Sequence, residues 1–456
     1  MEGAAIGEVN ATILTVPDML VILTADTTPR HRYIFGYLLR TFCGVDCIFR
    51  DLSDGRFAVS DDPVIAYTQS PVDRAFHIRP QGILSETGIP EEPAFVDSSG
   101  RLPFFYPCPD ADFPFDVFGA AFYLLSRAEE YHGHAPDAYG RYHHINSLAY
   151  RNGFLDLPLI DGWMADLREA LVRTFPSLSM KAPAFEFKPT YDVDIAWAYR
   201  SRGVIRTVGG LLRSVFQLNF RDFALRLRVM MGMCQDPYDS YDRMDGLHAD
   251  HGLKPVYFFL LASKLRGVDR NLNPDAKDIQ SLLKRHAKNY QTGMHPSWRS
   301  GDDTEVFLAE KAGLERMIGR AVCVSRQHYL RMQLPDTYRR LIASGLTDDF
   351  SMGYGMVNGF RASVSRPFPW FDLSGERETT LMVHPFCFMD ATAFHELGMS
   401  PGEAIHQLED YLRVISGMGG CMSTVFHNSM LGTAALYDGW YEMYVRFLDR
   451  VSGVAN

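Results

Sequence analysis

Apolar residues along this chain fall into short runs. Met19–Ala25 and Val256–Ala262 are nearly continuous apolar stretches, which predicts buried strands; neither approaches the ~20 residues a membrane span needs. Asp46–Phe49 and Pro63–Tyr67 predict two more strands, and Arg32–Arg40 carries its apolar residues at helical spacing. Residues 98–114, rich in Pro, Asp and Gly, predict a long loop. An apolar helix is expected over Val117–Tyr131, closing on Glu129 and Glu130, and a second over Asp161–Arg173. Pro176, Pro183 and Pro189 mark the expected boundary between two units, residues 1–180 and 181–456.

From Phe185 onward the pattern changes. Phe185 and Phe187 alternate with polar residues, as in a strand that runs on to Asp194. Further strand-like runs at Val256–Ala262, Thr292–His295, Val322–Val324, Leu381–Val383 and Ser423–Phe426 are separated by helical patterns at Asp278–Asn289, Thr304–Ile318, Pro335–Ala343 and Pro401–Ser416. Strand then helix, repeated, predicts an α/β fold with a parallel sheet or barrel. Chemistry in such folds collects at the carboxyl ends of the strands. Asp192, Asp194, His295, Arg326, His328 and His427 all fall there.

Composition narrows the class. Hydrophobic residues at 46% and charged residues at 22% of 456 exclude a mostly disordered chain, a collagen and a coiled coil. A formal net charge of -10 offers no counterion-release affinity, which disfavours nucleic acid as a partner. Seven scattered cysteines make no disulfide framework and fit a reducing compartment. Cys43 and Cys47 have no second pair at zinc-site spacing and are expected to be structural. Met1–Ile6 has neither a basic start nor an apolar core, so no secretory leader and a cytoplasmic location are expected.

Asp192 and Asp194 sit two apart on a strand, so both carboxylates point the same way. Paired carboxylates repel unless a cation lies between them or one is protonated, which is the charge logic of a metal site beside a general base. A turn or helix cap is the alternative. His295, fixed by Pro296, and His427 are candidate ligands or hydrogen-bonded core residues, and His384 is a weaker candidate. Arg326–Arg331 packs two arginines, a histidine and a tyrosine into one segment, either to hold an aspartate charged or to start a salt-bridged helix. The aromatics and arginines of Gly359–Asp372 could face a sugar ring or pack a loop. His132, His134, His143 and His144 are expected to be non-functional, and Asp236–Asp245 a capped helix start. Gly417–Gly420 lacks the residues of a phosphate loop.

In order, Thr190–Asp194, Val256–Phe259, Gly293–His295, Arg326–Tyr329 and Val425–His427 resemble the motifs of the polysaccharide deacetylase family, the NodB homology domain, across roughly residues 185–430. Residues 113–165 resemble an uncharacterised domain that precedes deacetylase-like barrels in some bacterial proteins. The resemblance implies a distorted seven-stranded (β/α) barrel preceded by a smaller α/β domain. It implies removal of an acetyl group from an N-acetylated sugar or glycan with one divalent metal, typically zinc. Asp194 and His295 would be ligands, Asp192 would take the proton of water, and Arg326 would orient Asp192. The main-chain amide of Tyr329 would hold the oxyanion, and His427 would protonate the departing amine. One departure stands out. The family places a second histidine four residues after the first, where this chain has Arg299, which cannot ligate a metal. His328, at a position where the family carries proline, is the expected replacement. The alternatives are a non-catalytic relative that binds a glycan or protein, and a hydrolase of another amide or imide. The first unit could cover the barrel mouth, restrict substrate size or mediate dimerisation.

Overall fold

The computed structural model describes residues 19–52, 62–96, 102–262, 265, 267–271 and 273–455; the Met1–Ile6 stretch read for a leader lies outside them. The first strands are β1 (Met19–Thr24), β2 (Asp46–Asp51), β3 (Val64–Tyr67) and β4 (Phe76–Ile78), paired in parallel in the order β2-β1-β3-β4. The helix Pro29–Leu38 joins β1 to the rest; Thr28 caps it and Pro29 opens it, since proline costs nothing where no intrahelical N–H is needed. Within the expected 98–114 loop β6 (Phe104–Phe105) forms a short strand, paired antiparallel with β5 (Phe95–Val96) just before it.

The expected Val117–Tyr131 helix stops early, at Leu125, and resumes as a short 3-10 turn at Ala128–Glu130. The break is at Arg127, whose φ of 55° no continuing helix allows. Its guanidinium is buried and donates to Glu130 at 2.8 Å, while Arg361 grips the same carboxylate at 2.9 and 2.6 Å. Burial opposes ionisation of Glu130, but Arg361 and Arg127 outweigh it and hold the carboxyl at about 2. This knot joins the first part of the chain to the second. Tyr33 adds a bond to the Pro369 carbonyl at 2.8 Å, and Arg30 one to Glu376 at 2.9 Å.

The second sheet runs through β7 (Glu186–Val193), β8 (Val256–Leu260), β9 (Gln291–His295), β10 (Val324–Ser325), β11 (Asp348–Met352), β12 (Phe368–Asp372), β13 (Arg377–Pro385), β14 (Phe388–Met389) and β15 (Cys421–His427). Its order is β12-β13-β11-β10-β9-β8-β7-β15-β14, parallel throughout except for the edge strand β12. Among the described residues the sheet therefore counts nine strands, against the seven implied by the resemblance. Part of the surplus lies in Arg377–Met389, where β13 pairs with β11 and β14, almost directly after it, pairs with β15. Between them Cys387 donates to the Ser423 carbonyl at 3.2 Å. One stretch of chain thus reaches both flanks of the sheet, which curls it around an interior.

That interior has its own small apolar cluster, Val256, Phe258, Val324 and Phe350, separate from the main core. Gly293 is the residue that permits it, because a Cβ there would lie 2.7 Å from both Phe258 and Val324. The seven cysteines are free. Among the described residues no helix is long and apolar enough to cross a membrane.

Candidate active site

The carboxyl ends of β7, β9 and β15, with the turn after β10, bring the expected side chains together. Asp192, on β7, accepts from Arg326 Nη1 at 2.8 Å. Arg326 is fully buried and spends its other donors on Thr190 Oγ1 at 2.7 Å and the Phe350 carbonyl at 2.9 Å, with its plane over Phe258. A guanidinium this fixed orients the carboxylate it holds. The salt-bridged helix start is thereby excluded for Arg326, while Arg331 does pair with Asp302 at 2.7 Å.

Asp194 is the centre of a second group. His295 Nε2 stands 3.2 Å from its Oδ1, and His328 Nε2 and His427 Nε2 each stand 3.7 Å from its Oδ2. Asp194, His295 and His328 each offer a ligand atom, all within 4.8 Å of one another. Each histidine is turned by its other nitrogen. His295 Nδ1 lies 2.6 Å from the Arg326 carbonyl, which can only accept, so Nδ1 carries the proton and Nε2 is left with its lone pair. His328 Nδ1 lies 3.0 Å from Asp269, and His427 Nδ1 lies 2.6 Å from Asp390. This is how second-layer carboxylates and carbonyls hold ligating or proton-transferring imidazoles.

Charge follows geometry. Burial opposes ionisation of Asp194, but His328 and then His427 outweigh it and hold its carboxyl well below the usual range. His328 is pushed up to about 9, burial being overcome by Asp194 and Asp269. His427 is pushed up to about 10, burial being overcome mainly by Asp390 and then Asp194. Positive charge facing Asp194 is therefore favoured, and a divalent cation with neutral imidazoles satisfies the same demand. Asp194 Oδ1 is buried and has no hydrogen-bond partner among the described residues. An orphaned carboxylate oxygen beside two imidazole nitrogens fits a divalent cation that takes nitrogen and oxygen donors.

A cleft of about 430 Å³ opens over this group. Tyr329 lines it with φ at 58°, left-handed and costly for a bulky residue. Arg141, from the first part of the chain, donates to the Tyr329 carbonyl at 2.8 Å and to Asp137 at 2.6 Å. Tyr139 packs its ring 5.2 Å from that of Tyr329. The first 180 residues therefore build one lip of the cleft.

The other candidates go elsewhere. Arg299 is half exposed and pairs with Asp303 at 3.6 Å. His384 bonds Asp348 at 2.7 Å and does not line the cleft; nor do His132, His134, His143 and His144. In Gly359–Asp372, Arg361, Trp370 and Phe371 are buried in packing, which rules out a sugar-facing role for them. Asp236 accepts from the main-chain N–H of Ala198, Tyr199 and Arg200, so it pins a loop. Sequence reasoning missed Asp390 and Asp269. Asp390 directly follows the strand β14, whose two residues are too few to show in the sequence pattern; Asp269 sits in a connection with no signal of its own.

Residues 20–176 match the profile of a family of unknown function, DUF7033. No curated protein matches the chain. Similar solved structures include a chain assigned as a polysaccharide deacetylase from Mycobacterium smegmatis, at 14% identity and a TM-score of 0.38, covering 59% of this chain and 84% of that one. PuuE allantoinase superposes at 12% identity and 0.38, covering 59% and 84%. A chain assigned as a polysaccharide deacetylase from Pseudomonas aeruginosa PAO1 gives 12% and 0.38, covering 59% and 85%. Likeness this loose bears on neither activity nor substrate.

Proposed function

We propose that this chain is a metal-dependent hydrolase that removes an acetyl group from an N-acetylated sugar or glycan. The observation that carries this reading is the meeting of Asp194, His295 and His328 donor atoms within 4.8 Å, beside a carboxylate held by a buried arginine. Asp194, His295 and His328 would hold the ion. A bound divalent cation acidifies water and polarises a carbonyl.

The rest is the work of the side chains. Asp192, oriented by Arg326, stands 3.8 Å from His295 Nε2, beside the ion's place, and takes a proton from water there. His427, 3.7 Å from Asp194 and steadied by Asp390, delivers a proton to the departing amine. The two groups have opposed proton tasks and opposed partners: an arginine that orients one, a carboxylate that keeps the other protonated. The amide of Tyr329, at the cleft wall, is the candidate oxyanion donor. Tyrosines at positions 139, 329 and 437 around the cleft suit the faces of a sugar ring.

The test is acetate release from N-acetylglucosamine oligomers by zinc-loaded chain. Release by the wild type and its loss in Asp192→Asn support the reading. Stoichiometric zinc with no release from any N-acetylated sugar overturns it in favour of a binding protein.

A further inference from the structure

Between Asp194 and the helix Tyr241–Asp250 the chain makes an excursion of a different character. The helices Val204–Phe216 and Phe220–Met230 form a hairpin rooted at the cleft rim, where Asp236 ties down Tyr199 and Arg200 and Tyr238 lines the cleft. Many of its apolar residues are outside. Ile205 is 89% exposed, Phe216 85%, Leu218 73% and Phe220 64%, with Met230, Met231 and Met233 beside them. Ile205, Val208, Leu212 and Phe216 recur at helical spacing, so they form one stripe. At the tip Leu218 takes a φ of 53°, a place that favours Gly or Asn. An exposed leucine there costs turn energy and gains nothing from the fold.

The charge is equally one-sided. Arg200–Met233 holds seven arginines, no lysine and a single acid, Asp222, in a chain whose net charge is -10. Arg226 pairs with Asp222 at 2.7 Å, but Arg213, Arg221 and Arg228 are exposed and make no ion pair among the described residues.

We infer that this hairpin seats the protein on an anionic lipid surface. Short amphipathic helices with large apolar residues on one side and arginines on the other lie in the interfacial plane. At 13 and 11 residues they are too short to span the ~20-residue depth of a bilayer. A second copy is the wrong occupant, because hairpin against hairpin would set two basic, nearly acid-free surfaces face to face. The inference rests on surface chemistry alone and is independent of the metal reading.

The test is flotation of the full-length chain with vesicles of phosphatidylcholine, alone or mixed equally with phosphatidylglycerol. Binding is expected to the mixed vesicles only and to fall with added salt. The variant Arg213→Gln/Arg221→Gln/Arg228→Gln should bind on the order of 100-fold more weakly, and Phe216→Ser/Leu218→Ser/Phe220→Ser should lose binding at unchanged thermal midpoint. No binding to the mixed vesicles, or full binding by both variants, overturns the inference. So does a wild-type dimer in solution that the apolar variant converts to monomer without affecting flotation.

Discussion

The two parallel sheets end differently at their carboxyl edges. Beside β3 the buried Asp116 is fully engaged: it accepts from Tyr67 Oη at 2.8 Å, Gln81 N–H at 2.9 Å and Gly119 N–H at 2.9 Å. At the end of β7, Asp194 keeps a buried oxygen with no hydrogen-bond partner among the described residues, surrounded by imidazoles that are themselves held in place. Both are carboxylates at strand-end level in an α/β fold. What separates a structural one from a candidate ligand is whether its oxygens are satisfied by the fold. Buried polar atoms are rarely left unpaired unless something else is meant to meet them.

The sharpest way to break the contrast is at Asp192. Asp192→Asn should lower acetate release by roughly 10²–10⁴-fold, the usual scale for a general base, with metal content unchanged; retained activity in a kinetic assay would remove Asp192 from the mechanism. Next comes the knot joining the two parts of the chain. Glu130→Gln should cost about 3–5 kcal/mol in chemical denaturation, because buried Arg361 loses its carboxylate partner and buried Arg127 is left with Glu129 alone. The Glu130 carboxyl sits near 2 in the fold against an ordinary 4.5. Its contribution is therefore complete above pH 4.5 and fades as pH drops toward 2, and the variant's deficit fades with it.

Asp116 should behave in the opposite sense. Burial lifts its carboxyl to about 6, against an ordinary 3.8. Asp116→Asn should cost roughly 1–3 kcal/mol by leaving donors unmatched. That deficit should be largest below pH 3.8 and shrink as pH rises through 6. Metal content should not change. Parallel denaturation curves at acid and neutral pH check both signs. The smallest effect is expected at the lip: Arg141→Met frees the Tyr329 carbonyl and should change kcat by about tenfold with KM moved less, since it acts through the backbone turn at Tyr329. A change in KM alone would make Arg141 a substrate contact instead.

Much of the site was legible because strand-end residues announce themselves. Asp192, Asp194, His295 and His427 follow or close apolar runs, and the gap left by Arg299 pointed to His328, which the fold does turn toward Asp194. Asp269 and Asp390 were not legible, since a residue that steadies an imidazole needs only to reach it and can come from any loop. The α/β class was readable from alternation. The nine-strand pairing was not, because β10 and β14 are each two residues long, too short for periodicity to register. The break at Arg127 was hidden for another reason: a buried ion pair of Glu130 with Arg127 and with Arg361, far along the chain, overrides a strong local helix pattern.

The central claim is that His328 completes a three-residue cation site with Asp194 and His295. Equilibrium dialysis against zinc, followed by elemental analysis, tests it directly on the full chain and on His328→Ala. The account predicts one tightly held zinc per wild-type chain and a loss in His328→Ala as complete as in His295→Ala. Full zinc retention by His328→Ala, or no zinc in the wild type, would contradict it.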